Sequence, residues 1–152
     1  MAARGYTLLE LLVVVAIIAL AAGMLTLGVA GDEPRRLREE GDRLAALFTL
    51  AQSEARVSGR ALLWQADLEG YRFQPLVADA GVVLRDELAR SRQWGLDLQR
   101  VGRRELVFSR EPLREPAEVE LATKSYAVRV AVDPLGHSAA ADCGGPQCAA
   151  SR

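Results

Sequence analysis

The chain predicts an α+β fold, a long N-terminal helix against antiparallel β-sheet, and three features of its 152 residues carry that expectation. The first is an uncharged, apolar run of 21 residues from Leu11 to Gly31. The second is a helical apolar stripe across residues 35–57. The third is a change of period: after Gly59 apolar residues recur in twos, and turn residues separate the runs. Helix first and strands after is the order of an α+β layer in which sheet covers the helix stripe. About 120 residues follow the apolar run, enough for one domain with its own core and too few for two.

Residues 6–30 read as one helix. At ~1.5 Å per residue the apolar run is long enough to cross the ~30 Å hydrocarbon layer, so a single membrane pass is expected. Gly23 and Gly28 lower its intrinsic stability by roughly 1 kcal/mol each in water. Glu10 stands at the mouth of the run. An acid at the centre of a membrane helix costs roughly 2.5 to 3.5 kcal/mol on insertion scales, so it calls for a partner and a role. Cutting the chain after Gly5 would supply the partner, because the new α-amino group of Tyr6 would lie one helical turn from Glu10. Gly28-Val29-Ala30 would instead serve as the cut site of a secretory signal peptide. The apolar run is long for that purpose, and Glu10 would have no use there.

Gly31-Asp32-Glu33-Pro34 punctuates the helix, since Pro34 in a straight helix clashes with the carbonyl four residues back. A kink is expected there, or a restart capped by Asp32 or Glu33. Between 35 and 57, Leu37, Gly41, Leu44, Phe48, Ala51 and Ala55 recur at spacings of three and four, and Leu47 and Leu50 widen the stripe. Such a stripe packs on the protein's own sheet. Ser58-Gly59 supplies the stop.

Residues 61–66 and 71–75 flank Asp67-Leu68-Glu69-Gly70, a hairpin turn in which Gly70 is expected to take the awkward dihedral. Residues 76–95 are less regular; Val82-Val83-Leu84 either extends a strand or packs a loop. Arg85, Arg90 and Arg92 sit near Trp94, and with no second aromatic interleaved they read as a solvated loop with one ring pinned to the core rather than a nucleic-acid platform. Residues 96–100 and 104–109 suggest a second hairpin around Val101-Gly102. Residues 117–122 and 125–132 form the clearest pair: Tyr126, Val128, Val130 and Val132 alternate with Ala127, Arg129 and Ala131 and should face the core. Asp133-Pro134-Leu135-Gly136 is a strong turn. An alanine-rich tail, 137–152, ends the chain and is expected to be mobile.

Arg4-Gly5-Tyr6-Thr7-Leu8-Leu9-Glu10, followed by about twenty apolar residues, resembles the class III signal of type IV pilins and type II secretion pseudopilins. The resemblance implies a leader of residues 1–5, cleavage between Gly5 and Tyr6 by a prepilin peptidase, and N-methylation of Tyr6, where the family more usually has Phe. Glu10 maps onto the helix glutamate that neutralises the terminal amine of a neighbouring subunit. Residues 6–30 would be the transmembrane and filament-core helix, and 31–152 a periplasmic head with the type IV pilin-like fold. Within the head, Leu37-Arg38-Glu39-Glu40, Arg43-Leu44-Ala45, Ala51 to Arg56, Gly59-Arg60, Trp64, Gly70-Tyr71-Arg72-Phe73 and Phe108 to Pro112 are, in that order, similar to the GspH-type minor pseudopilin family. That likeness implies a non-enzymatic part of a short filament on the bacterial inner membrane, N-terminus cytoplasmic. Its partners would be major and minor pseudopilins and the inner-membrane assembly platform.

The rest of the composition narrows the alternatives. Basic and acidic residues balance at 19 and 20, and 18 of the basic ones are arginine, so no net field points to nucleic acid or an anionic surface. Cys143 and Cys148 enclose a short Gly-Pro loop, reminiscent of the C-terminal disulfide loops of true pilins, and a disulfide is the natural expectation in an oxidising compartment. A metal site using His137 and Asp142 as further ligands falls short of the usual zinc spacing. No cofactor is expected. One histidine, no Gly-x-Ser-x-Gly elbow and acidic pairs such as Glu39-Glu40 and Asp86-Glu87, read as solvated charge, give an enzyme nothing to work with.

Overall fold

The computed structural model describes residues 10–19, 32–77, 84–111 and 115–148. They divide into two compact units, 1–33 and 34–152. In the first, residues 10–19 are helical (α1). The rest of the expected helix, 6–9 and 20–30, lies outside the described residues. Among the described residues no helix is long and apolar enough to cross a membrane.

The head is a helix packed on two antiparallel sheets. Helix α2 spans Asp32–Ser58. Pro34 falls in its first turn, where the missing N–H has no intrahelical partner to lose. The helix stops where Gly59 takes a left-handed backbone, φ 69°. Every residue of the expected stripe is buried, from Leu37 through Gly41, Leu44, Leu47, Phe48 and Ala51 to Ala55, with Leu50 half-buried beside it. Two polar side chains, Glu40 and Gln52, are buried as well.

Strands β1 (Leu62–Ala66) and β2 (Gly70–Pro75) form the expected hairpin, with Trp64 opposite Phe73. The turn is held by Asp67, whose Oδ1 accepts from the N–H groups of Glu69 and Gly70, both at 2.8 Å. Gly70 does not take a positive φ, contrary to expectation. It is needed for close approach instead, since a Cβ there would collide with the carbonyl oxygen of Arg92. A single helical turn, α3 (Asp86–Ala89), buries Leu88 and leads into β3 (Arg92–Gln93), which pairs with β2. Leu84 packs against the core, while Val82 and Val83 lie outside the described residues.

The hairpin expected around Val101-Gly102 does not form. Strand β4 (Arg100–Val101) pairs with β6 (Ala117–Ala122), and β5 (Glu105–Phe108) pairs with β1, so the segment crosses from one sheet to the other. Gly102 serves the crossing rather than a turn: its N–H donates to Glu120 O at 2.8 Å, and a Cβ would lie 3.1 Å from Glu120 Cβ. Arg104 O then accepts from Ala66 N–H and carries the chain into the first sheet.

Strand β7 (Ala127–Val132) pairs with β6 as expected, burying Val128, Val130 and Val132. Tyr126 does not share that face; it precedes the strand and is exposed. The Asp133 to Gly136 turn forms, with Gly136 N–H donating to Asp133 O at 2.9 Å and Gly136 at φ 84°. The expected mobile tail is corrected over its first half. Ser138–Asp142 is strand β8, hydrogen-bonded to β7. Alanine favours strands weakly, so the register comes from neighbours: Ala140 lies against Gly41 of α2. The sheets run β3-β2-β1-β5 and β4-β6-β7-β8, and residues of both share one core with α2.

Candidate functional site

Glu10 is exposed, helical, and the only charged residue among 10–19. Leu11, Leu12, Val15, Ile17 and Ile18 are each more than half exposed, and Val13 and Val14 nearly so. A helix apolar on all sides is built to be surrounded, by lipid or by other helices. Gly5 and Tyr6 lie outside the described residues.

In the head, the arginines near Trp94 are engaged with acids and carbonyls. Arg85 meets Glu54 at 2.8 Å, Arg90 meets Asp86 at 3.9 Å, and Arg92 donates to Glu87 O at 3.3 Å. Trp94 is buried; its Nε1 donates to Asp67 O at 2.8 Å and its ring packs 4.6 Å from that of Tyr71. A ring held inside the core offers no face for a base to stack on.

A cavity of about 780 Å³ opens beside the Asp67 turn, where Arg72, Arg92 and Arg104 interleave with Asp67, Glu69 and Glu105. No histidine or cysteine lines it. The hydrogen bonds from Gly70 and Glu69 hold the Asp67 carboxyl below its ordinary range. A smaller cavity of about 290 Å³ lies beside α2 at Glu39, Glu40 and Gly95. Glu40 corrects the reading of Glu39-Glu40 as solvated charge: it is buried and accepts from Arg43 Nη1 at 3.1 Å, while Glu39 pairs with Arg35 on the surface. Position 40 adjoins the 37-41-44 stripe, the one signal that could have marked it. Tyr71 Oη, also buried and without a hydrogen bond among the described residues, is pushed up to about 12 by burial and then by the nearby Glu40 charge.

Cys143 and Cys148 are joined by a disulfide with Cα atoms 4.8 Å apart. The loop they close is held in place: Cys143 N–H donates to Ala127 O at 3.0 Å, Cys148 N–H to Glu120 Oε1 at 3.3 Å, and Arg100 to Glu120 and Pro146 O. The residues considered as metal ligands are otherwise occupied, His137 with Asp133 at 3.0 Å and Asp142 with Arg38 at 2.9 Å. No group of three or more potential metal ligands gathers among the described residues.

Residues 1–26 match the family described as the prokaryotic N-terminal methylation motif. No curated protein and no solved structure matches the chain. The match supports the pilin and pseudopilin class: it implies processing by a prepilin peptidase and assembly with other pilin-like proteins. The observed α+β head, a helix packed on antiparallel sheets, is compatible with that class.

Proposed function

We propose that this chain is a minor pseudopilin of the GspH type, a structural subunit near the tip of a type II secretion pseudopilus that supports export of folded proteins across the outer membrane. One observation carries the reading: the methylation motif over residues 1–26, with Glu10 one helical turn from the amine that cleavage after Gly5 would free. In this reading residues 1–5 are removed and Tyr6 is N-methylated. The helix from residue 6 to about 30 crosses the inner membrane once, and the head is periplasmic. Glu10 meets the terminal amine of a neighbouring subunit, whose positive charge offsets the expense of an acid in lipid. The exposed apolar surface of residues 11–18 is the surface such packing would cover.

The disulfide loop favours a second reading, a minor pilin of a type IV pilus or DNA-uptake machine, because a closed C-terminal loop pinned on the sheet resembles that of true pilins.

Mass spectrometry of the protein co-expressed with a prepilin peptidase tests processing. A chain beginning at N-methylated Tyr6 is expected, and one beginning at Gly31 overturns the reading. Co-purification then separates the machines: recovery with the other pseudopilins supports secretion, while salt-sensitive binding of duplex DNA supports uptake.

A further inference from the structure

Strand β8 is an edge of the second sheet. Asp133 N–H donates to His137 O and Cys143 N–H to Ala127 O, one bond at each end of β8. Between them the paired register fixes which backbone groups face β7: those of Ala139 and Ala141 point inward, and those of Ser138, Ala140 and Asp142 point out of the sheet. Those outward N–H and C=O groups have no hydrogen-bond partner among the described residues. Ala139, Ala141 and Asp142 are exposed, and Pro146 and Cys148, beyond the strand, lie back toward Arg100 and Glu120.

Proteins protect sheet edges by shortness, charge, proline or a bulge. The other three edges here are protected: β3 and β4 have two residues each, and β5 is led in by Arg103, Arg104 and Glu105. Strand β8 has five residues, Ser-Ala-Ala-Ala-Asp, with no proline and no lysine or arginine.

We propose that β8 pairs antiparallel with β8 of a second copy of this chain, about a two-fold axis at Ala140. The sequence is self-complementary in that arrangement. Ala140 faces Ala140, Ser138 faces Asp142, and each facing pair exchanges both N–H···O bonds. The carboxylates of the two Asp142 residues stay apart, at opposite ends of the paired segment. On the exposed face Ala139 of one copy lies opposite Ala141 of the other, leaving no bulk to hold the strands apart.

The test is a charge pattern on the full chain in detergent, with association followed by sedimentation. A139K/A141K places lysine opposite lysine twice and should weaken association about tenfold. A139K/A141E places lysine opposite glutamate twice and should associate at least as well as the unaltered chain. A monomeric unaltered chain, or two variants that behave alike, overturns the proposal; equal loss in both would mean that the edge does not take an antiparallel second copy. Hydrogen exchange on the unaltered chain gives a check that needs no variant. The amides of Ser138, Ala140 and Asp142 should exchange about tenfold more slowly at high than at low protein concentration, and concentration-independent exchange overturns the pairing.

Discussion

The two sheets meet the same helix by opposite means. Sheet β3-β2-β1-β5 meets α2 with rings: Phe48 lies 5.0 Å from Trp64, 5.2 Å from Phe108 and 6.3 Å from Phe73. Sheet β4-β6-β7-β8 meets it with small residues, Val128 and Ala140 closing on Gly41. Large rings fill a wide gap with few side chains, whereas glycine and alanine remove the gap by letting backbones approach. Contacts along α2 show how far the close side extends. Arg38 reaches Asp142, Gly41 reaches Ala140, Gln52 packs against Gly136, and Arg56 donates to Leu135 O. Numbers rise along the helix as they fall from Asp142 and Ala140 of β8 to Gly136 and Leu135 of the turn before it, so the strand and its turn together run antiparallel to α2.

Truncation on the ring side should break the comparison most severely. Phe48 is fully buried, and Phe48→Ala leaves a cavity bordered by three rings, for an expected loss of about 3–5 kcal/mol. Urea unfolding followed by tryptophan fluorescence reads it directly, because Trp64 and Trp94 both sit on that side. A loss under about 1 kcal/mol would mean that the rings collapse around the vacancy.

On the small-residue side the disulfide should matter most. A bridge closing so short a loop restricts the unfolded chain by about 2 kcal/mol on the chain-entropy account. Replacing Cys143 and Cys148 by serine should lower stability by about that much and speed amide exchange in β8, leaving tryptophan emission unchanged. Gly41→Ala sharpens the contrast further. Alanine gains about 1 kcal/mol of helix propensity, but its Cβ would lie 2.6 Å from Val128 Cγ1. Overpacking of this kind costs about 1–3 kcal/mol, so a small net destabilisation is expected. A stabilised variant would show that β7 yields.

The same asymmetry explains which parts of the fold are legible in the sequence. Period carries elements whose register is local: the 37-to-55 stripe, the β1–β2 hairpin and the valine face of β7 can all be read from it. The segment around Val101-Gly102 reads wrongly as a hairpin because two short strands separated by a glycine look alike whether they pair with each other or with distant partners. Glu120 and Ala66 decide the matter from far along the chain. Strand β8 escapes a sequence reading because alanine-rich sequence carries no period, and Gly41 and β7 impose its place. Among site residues, Glu10 stands out by its cost in apolar surroundings. Glu40 and Gln52 do not, since a polar residue beside a stripe is buried only if its partners, Arg43 and Ser109 O, happen to be there.

The smallest expected effect probes the polar corner of the ring side. Tyr71 is buried with its hydroxyl unpartnered among the described residues, and burial together with Glu40 pushes it from 10 up to about 12. The neutral phenol is therefore the form the fold prefers. Because the folded value is raised, the stability tied to that proton is intact below about pH 10, the unfolded value, and is lost as pH climbs toward about 12. Absorbance titration of the phenolate band should show this tyrosine ionising late, toward about pH 12. Tyr71→Phe should remove the late step and leave the packing between Trp64 and Trp94 in place. It should also leave stability unchanged or slightly higher, because a buried hydroxyl with no partner is a liability to the fold. Should the variant instead lose more than about 1 kcal/mol, the hydroxyl must hold a bridging water to Glu40, and this corner of the ring side would be a hydrogen-bonded network rather than a packed one.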